Sequence, residues 1–300
     1  MNNADSIKAR LKAIAVTEGK PFDYLLMHYF IERLLYRLSV SDYADSFVLK
    51  GGLLLYILLD NNARATKDID FLARHVGNAP EELAEIFEKI ARIPADDAVH
   101  FDTGSITATR IKEDADYQGV RIKLTGYLDK SRHILQFDVG FGDVIVPKPV
   151  DMEYPSLLGM EMPKLKAYSL ESVIAEKFQA MIYLAEANSR LKDFYDIYML
   201  CRSFDFDGRT LFEAVSQTLE RRTTPLTKTP TIFSDVFPQL QDKQTQWRAF
   251  QRRTGIKVNA EFPEVISTIK EFLSPVFDRI LNEDEFFGRW ESTDGMWKHD

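Results

Sequence analysis

The sequence predicts an α+β protein in which a mixed sheet is flanked by helices and followed by a mostly helical C-terminal region. Apolar residues at helical spacings fill the first 45 residues, short alternating runs fill the middle, and helical spacing returns after residue 169. The chain has 300 residues, 45% hydrophobic and 28% charged, which is ordinary composition for a globular core. We expect N-terminal helices over 1–45, an α/β core over 46–160 and a helical region over 161–300.

The first elements follow from local spacing and turn residues. Residues 22–38 carry Leu, Tyr and Phe at spacings that predict a helix buried on more than one side. Residues 46–49 form a short apolar run that ends at a glycine pair, and the apolar run 53–59 predicts a helix after that pair. Residues 68–71 alternate acidic and apolar side chains, as a half-buried strand does. Residues 80–90 predict a helix with Pro and acids in its first turn.

The later elements alternate first and then return to helical spacing. Residues 106–111, 119–124 and 133–139 predict consecutive strands, with turns at 114–116 and 129–131 between them. Four prolines, at 147, 149, 155 and 163, predict a long irregular connection. Ser169 is expected to cap a helix that runs to about residue 185, and Asn188 or Ser189 a helix that runs to about residue 202.

Composition and charge narrow the class of protein. The single cysteine, Cys201, excludes an intramolecular disulfide and favours a reducing, cytoplasmic setting. The start of the chain lacks the layout of a signal peptide, and no apolar run approaches the roughly 20 residues of a membrane span, so we expect no membrane partner. The net charge of −8 argues against a general nucleic-acid coat. Residues 221–257 nevertheless hold eight Lys or Arg against two acids, which predicts either a phosphate-binding patch or a solvated helical face.

Two carboxylates and a glycine pair form the first candidate site. Asp68 and Asp70 lie two apart on a predicted strand, so both side chains leave the same face. Such a pair is either the polar face of an edge strand or a site for Mg²⁺, which prefers oxygen ligands. Asp138 lies in another predicted strand and would bring a third carboxylate to the same place if the two strands are adjacent. Gly51 and Gly52 precede a predicted helix, where backbone and helix N-terminus can approach phosphate.

With these motifs, the chain resembles the AbiEii/AbiGii-type nucleotidyltransferase toxins, which belong to the polymerase-β-type nucleotidyltransferase superfamily. The matching stretches are residues 49–52 (Leu-Lys-Gly-Gly) with 64–71 (Arg-x-Thr-x-Asp-Ile-Asp-Phe), 175–177 (Ala-Glu-Lys) and 190–196 (Arg-Leu-Lys-Asp-Phe-Tyr-Asp). The resemblance covers roughly residues 45–202. One position departs from the family pattern, because Leu53 stands where the family often has a small or hydroxyl residue.

The resemblance implies a nucleotidyltransferase-like core that moves an NMP from an NTP to an acceptor hydroxyl with Mg²⁺ (or Mn²⁺). It implies that Asp68 and Asp70 bind the metals, that Asp138 is the third ligand, and that residues 170–202 complete the active site. It also implies that Lys177 contacts the triphosphate and that Asp193 is the acid of the last motif. The residues implied in nucleotide binding are Lys50, Gly51, Gly52, Arg64, Lys177, Arg190 and Lys192.

Several alternatives remain open from the residues themselves. Lys177 borders an apolar helical face and is equally explained as a lysine that reaches solvent, while surface ion pairing explains Arg64 and the charges of 190–196. The resemblance implies a toxin with a cognate antitoxin, and for some members tRNA 3′-end modification. The competing functions are a small-molecule, antibiotic-type nucleotidyltransferase and a catalytically silent nucleotide-binding or interaction module.

Overall fold

The protein is described by a computed structural model over residues 3–114, 117–256 and 258–298. The chain divides into two compact units. The first unit contains residues 1–57, 66–142 and 150–167, and the second contains 58–65, 143–149 and 168–300. Part of the predicted turn at 114–116, and the last cation of the 221–257 segment, lie outside the described residues.

The helices and strands follow one another along the chain with these bounds: α1 (Ala4–Glu18), α2 (Phe22–Ser39), β1 (Phe47–Lys50), α3 (Gly51–Leu59), β2 (Ile69–Ala73), α4 (Pro80–Ala91), β3 (His100–Asp114), β4 (Tyr117–Leu128), β5 (Ser131–Phe141), β6 (Val150–Glu153), β7 (Lys164–Ala167), α5 (Leu170–Leu184), α6 (Leu191–Ser203), β8 (Phe206–Asp207), α7 (Gly208–Arg221), α8 (Gln241–Thr254), α9 (Phe262–Leu281), β9 (Arg289–Glu291) and β10 (Met296–Lys298).

The first unit is built on a mixed sheet with the strand order β3-β4-β5-β2-β1-β7-β6. The strands β3, β4 and β5 form an antiparallel meander, β5 and β2 are parallel, β2 and β1 are antiparallel, and β1 and β7 are parallel. This mixed sheet, together with helices on either side of it in sequence, confirms the predicted α+β class. The three predicted strands of the middle region are also confirmed, and each is longer than its alternating run.

A cluster of aromatic rings packs on one face of the central strands of the first unit. Phe71 of β2 stacks on Phe137 of β5 with ring centroids 6.4 Å apart, and Phe87 of α4 packs on Phe137 at 5.1 Å. Phe47 of β1 meets Phe87 edge to face at 5.4 Å. These rings are almost completely buried, so the face of β2 that carries Ile69 and Phe71 is committed to the core. The alternate residues of β2 and β5 therefore leave the opposite face of the sheet.

The helix α2 is buried nearly all round, as its mixed spacing predicts, and it contacts α1, α4 and the sheet. Buried charges on this helix have partners within the fold. Arg37 makes a two-point ion pair with Asp97, with nitrogen–oxygen distances of 2.7 and 3.1 Å. Both oxygens of Glu32 accept hydrogen bonds, one from the Ser156 hydroxyl and one from the Leu157 amide. Burial of these charges is tolerated because each is paired or hydrogen-bonded.

The second unit is a helical assembly with a small sheet. The helices α5, α6, α7, α8 and α9 pack around aromatic side chains such as Phe178, Phe194 and Trp247. The aromatic C-terminal tail packs down as the strands β9 and β10, where Trp290 is fully buried and donates to the Cys201 carbonyl. None of the helices in the described ranges combines the length and apolar character needed to cross a bilayer.

Some local predictions are confirmed and others are wrong. Ser169 caps α5 by accepting from the Ser172 amide, as predicted. The N-cap of α6 is Arg190, not Asn188 or Ser189, although the Asn188 side chain accepts from the Arg190 amide. The predicted irregular connection contains the strands β6 and β7, whose four-residue length gives too few alternating positions to be recognised. The predicted helical region likewise contains the strands β8, β9 and β10.

Candidate active site

A row of four charged side chains crosses the sheet of the first unit. Lys50 of β1 pairs with Asp70 of β2, Asp70 pairs with Asp138 of β5, and Asp138 pairs with Arg121 of β4. Residues directly paired across neighbouring strands share a face of the sheet. Their charges run positive, negative, negative, positive, so each carboxylate has a cation on its outer side. We call these four residues the charged row.

Asp70 lies against the turn between β1 and α3. A Cβ atom added to Gly51 would lie 2.0 Å from Oδ2 of Asp70 and 2.7 Å from its Cγ. Gly51 also has a φ of +70°, a conformation that L side chains rarely adopt. Both constraints require glycine at this position. The absence of a side chain at Gly51 is therefore what leaves space for the Asp70 carboxylate.

Asp138 is held by Arg121 in a two-point ion pair. Nε of Arg121 lies 2.8 Å from Oδ1, and Nη2 lies 2.7 Å from Oδ2. The hydrogen bond to Asp138 raises the pKa of Arg121, and the charges of Asp68 and Asp70 act in the same direction. Arg121 thus lies within electrostatic reach of all three predicted metal-binding carboxylates.

Asp68 occupies a different environment from Asp70. It is exposed and immediately precedes β2, which begins at Ile69, so the strand does not reach back to Asp68 as predicted. The carbonyl of Asp68 is the acceptor of a 3.4 Å contact from the Thr66 hydroxyl. Its carboxylate is therefore the most accessible to solvent of the three, while Asp70 and Asp138 are half-buried.

The three carboxylates suit a hard divalent cation, but Asp138 is already paired with Arg121. Three carboxylates provide the oxygen ligands that Mg²⁺ prefers, and the Asp70 carboxylate fits against the glycine turn only because Gly51 lacks a Cβ. Within the described ranges, however, no three His, Cys, Asp or Glu side chains are grouped to hold a metal. Asp138 faces Arg121 instead. The residues fit a metal if Asp138 gives up its ion pair with Arg121.

The glycine turn leads directly into α3, which begins at Gly51. Backbone N–H groups at a helix N-terminus attract phosphate. Leu53, at the position where the family pattern has a small or hydroxyl residue, is fully buried in the core. Its side chain is therefore a core residue of this fold, and the turn offers ligands through Gly51 and Gly52 backbone groups. Lys50, only 6% exposed, ends the preceding strand.

A second charged cluster lies in the second unit. Nζ of Lys177 on α5 lies 2.7 Å from Asp193 and 2.8 Å from Asp196 on α6. Arg64 reaches Asp196 at 3.1 Å. The two aspartates share one helical face, as their i, i+3 spacing predicts. Lys177 is not a lysine that extends into solvent, because its side chain is only 11% exposed.

Electrostatics keep this cluster ionised. Burial lowers the pKa of Lys177, but the charges of Asp193 and Asp196 outweigh burial and leave that pKa above its ordinary value. Burial alone would raise the pKa of Asp196, but the charges of Lys177 and Arg64 outweigh burial and hold that pKa below its ordinary value. Cations and carboxylates therefore hold one another in the charged state. We call Arg64, Lys177, Asp193 and Asp196 the lysine cluster.

The other predicted binding residues are distributed around these clusters. Arg190 directly precedes α6, and Lys192 is exposed in its first turn. In the 221–257 segment, Arg222 is tied to Asp143 at 3.0 Å, and Lys243 donates to the Asn188 carbonyl at 2.9 Å. Two of the predicted basic-patch residues are thus internal structural contacts. The exposed cations among the described part of the segment are Arg221, Lys228, Arg248, Arg252 and Arg253.

Sequence reasoning missed Arg121, whose place in the charged row depends on strand pairing. Its neighbours Val120 and Ile122 are buried and Lys123 is exposed, so alternation alone assigns Arg121 to the polar face of β4. That signal was available in the sequence. The contact with Asp138 was not, because it requires knowing that β4 and β5 pair in this register.

Comparison with known proteins gives one family match. The sequence model of the family described as nucleotidyl transferase AbiEii toxin, type IV TA system, matches residues 33–283. The crystal structure of JHP933 from Helicobacter pylori has a TM-score of 0.48 and 12% identity, covering 87% of this chain and 94% of that one. A candidate nucleotidyltransferase from H. pylori has a TM-score of 0.49 and 11% identity, covering 88% and 99%. No curated protein matches the chain in sequence. The family match spans most of the chain and alone carries the assignment.

Proposed function

This chain belongs to the AbiEii family of nucleotidyl transferase toxins, and from that premise we propose that it moves an NMP from an NTP to a hydroxyl of an RNA acceptor at the charged row. Membership makes the chain a nucleotidyltransferase toxin of a type IV toxin–antitoxin system and implies a cognate antitoxin. The acceptor we propose is the 3′ end of tRNA. The observation that supports this site is the pairing of Asp70 with Asp138 beside the side-chain-free Gly51.

We propose that Asp68, Asp70 and Asp138 hold Mg²⁺ (or Mn²⁺). Bound there, the metal would supply an activated acceptor hydroxyl and neutralise charge on the leaving pyrophosphate. The protein's own contribution is placement. Burial of Ile69 and Phe71 on the opposite face anchors β2, so that Asp70 is carried on a rigid strand. The exposed Asp68 completes the pair on the solvent side.

The triphosphate is proposed to lie at the glycine turn. Gly51 and Gly52 open α3, and the first N–H groups of a helix have no acceptor within the helix, so they can point at a phosphate. Lys50 places a positive charge at the end of β1, beside Asp70 in the charged row. Backbone donors and one cation together suit an anion with several oxygens, and they need no side-chain hydroxyl at position 53.

Lys177 is proposed as a phosphate-binding residue, with Asp193 as its main positioning residue. The 2.7 Å contact with Asp193 fixes the ammonium group, and the surrounding carboxylates keep it protonated. A lysine held charged in this way can bind phosphate without a change of protonation. Arg64, Arg190 and Lys192 are proposed to support the same role from the neighbouring segment and from α6.

The RNA acceptor is supported by the exposed cations of the 221–257 segment. Arg248 and Arg252 lie one turn apart on α8, and Arg253 follows them, so α8 presents a basic outer face. Arg222 and Lys243 are excluded from this role because they are structural contacts. Binding by such a face is expected to weaken steeply as salt rises.

The test is incubation of the protein, Mg²⁺ and each labelled NTP with total RNA, and separately with an extract depleted of RNA. We expect label in RNA of tRNA size, and loss of that label with Asp68→Asn and with Asp70→Asn. Both substitutions keep side-chain size, and circular dichroism and thermal melts of the two variants should match the parent.

Three results would count against the proposal in different ways. Transfer retained in both variants would overturn the site. Label found only in small molecules of the RNA-depleted extract would replace RNA by a small-molecule acceptor. Equal transfer with EDTA in place of Mg²⁺ would overturn the metal requirement.

A further inference from the structure

We propose that Arg121 is a positioning residue that occupies Asp138 and makes this third carboxylate available to a metal only when a cation displaces the guanidinium. The inference rests on the proposed function, since it concerns the same metal site. On this proposal, Arg121 sets the order in which the three carboxylates bind metal. Asp68 and Asp70 bind the first cation, and Asp138 enters only after its ion pair opens.

The contact between Arg121 and Asp138 engages the whole carboxylate. Both oxygens of Asp138 accept from Arg121, at 2.8 and 2.7 Å, in the parallel two-point geometry of a strong guanidinium–carboxylate pair. The Asp138 side chain is only 14% exposed. Few directions remain from which a second ligand could approach these oxygens. A metal must therefore share the carboxylate with Arg121 or replace it.

A second carboxylate lies beside Asp138 in the sheet. The paired register of β2 and β5 sets Asp70 beside Asp138, and the like charges of two neighbouring carboxylates repel. Arg121 lies next to this pair, since it is the strand partner of Asp138 and its guanidinium contacts both oxygens of that carboxylate. Arg121 therefore neutralises the same group of carboxylates that a divalent cation would neutralise. Two cations at one carboxylate repel each other, so metal and guanidinium compete.

The position of Arg121 allows the exchange. Its side chain is 37% exposed, more than that of the carboxylate it holds, so it can swing toward solvent without disturbing the core. The backbone of β4 is held on both sides by β3 and β5 and does not need to move. The ion pair is thus a side-chain latch on a rigid strand.

The experiment measures Mn²⁺ binding without nucleotide, by the electron paramagnetic resonance signal of free Mn²⁺, in the parent protein and in Arg121→Met. We expect the weaker class of Mn²⁺ sites to bind about ten-fold more tightly in the variant, equivalent to about 1.4 kcal/mol. Lys123→Met is the matched control. Lys123 lies two residues along β4, is exposed, and its loss removes the same charge without touching Asp138.

Thermal melts supply a second readout that a merely structural role would not produce. In EDTA, Arg121→Met leaves the carboxylates without their guanidinium, and we expect its Tm to fall below that of the parent. In excess Mn²⁺ the difference should vanish or reverse, because the metal replaces the lost charge. Lys123→Met should behave as the parent in both buffers, and Arg121→Lys should fall between the parent and Arg121→Met.

Each outcome decides something. Unchanged or weaker Mn²⁺ binding by Arg121→Met overturns the latch, as does equal tightening by Lys123→Met, which would show a general charge effect. A melt defect in Arg121→Met that persists in Mn²⁺ shows a structural contact only and also overturns it. If the parent binds Mn²⁺ and Asp70→Asn does not, the proposed metal site stands whatever Arg121 does. If neither the parent nor Arg121→Met binds Mn²⁺, the metal site itself fails, and the latch with it.

Discussion

Gly51→Ala tests the arrangement of the proposed active site with a single methyl group. The new Cβ would lie 2.0 Å from Oδ2 of Asp70, far inside van der Waals contact. The carboxylate must therefore retreat by more than about 1 Å, a displacement of a kind that can reduce catalysis roughly 100-fold. The φ of +70° adds a backbone penalty of about 1–2 kcal/mol for a residue with a Cβ.

The two effects separate with a matched control. Gly159 lies in the first unit with a φ of +66°, and nothing lies within 4 Å of where its Cβ would be. Gly159→Ala should therefore lose the same 1–2 kcal/mol, roughly, of unfolding free energy and keep its activity. Gly51→Ala should show at least a similar loss of stability together with about 100-fold lower nucleotide transfer.

The assays are urea unfolding and initial rates of label transfer at saturating NTP. If Gly51→Ala transfers label within about three-fold of Gly159→Ala, displacement of Asp70 by 1 Å has no catalytic consequence, and its role as metal ligand is refuted. If Gly159→Ala loses activity to the same degree, backbone strain and not the Asp70 contact explains the result.

Two further predictions concern buried ionisable groups. Burial, with a smaller effect of the Lys20 charge, lowers the pKa of His28 to about 4, so the unfolded state binds more protons than the folded state between that value and the ordinary 6.5 or so. The unfolding free energy should then fall by about 2 kcal/mol from pH 7 to pH 5, and His28→Phe should remove that share of the pH dependence in urea unfolding; an identical pH slope in both proteins would contradict the lowered pKa. In the lysine cluster, Asp196→Asn should lower the unfolding free energy by about 3 kcal/mol, because it removes the buried carboxylate that Lys177 and Arg64 share and leaves Asp193 as the carboxylate beside Lys177. The double variant Asp196→Asn with Lys177→Met should lose about 1–3 kcal/mol less unfolding free energy than the two single variants lose in total. Strict additivity of the two losses would show that the two side chains do not interact.

Local chemistry made much of this fold predictable. The alternation of Ile69 and Phe71 with Asp70 assigned the two faces of β2, and the structure buries the apolar pair completely. Ser169 signalled the start of α5, where its hydroxyl accepts from the Ser172 amide. These features depend on neighbours within a few residues, so they are readable without knowing what the chain packs against.

The short strands were not predicted, because prediction from local pattern needs several consecutive residues. The strands β6 and β7 have four residues each, and β8 has two, so alternation has no room to exceed chance. The sequence overestimates the number of solvent-facing cations in the 221–257 segment, because the order of charges along the chain does not reveal which side chains are buried. Arg222 and Lys243 face partners in the interior, while Arg248 and Arg252 face solvent.

By itself the sequence determined which residues are candidates for the chemistry: Asp68 before β2, Asp70 within β2, Asp138 on β5, and the glycine pair at the start of α3. Their residue types and periods are properties of the chain that do not depend on its neighbours in space. Only the tertiary structure decided that Asp138 stands beside Asp70, that Gly51 makes room for Asp70, and that Arg121 holds Asp138. Those relations depend on strand order and register, which long-range hydrogen bonding sets and no local pattern encodes.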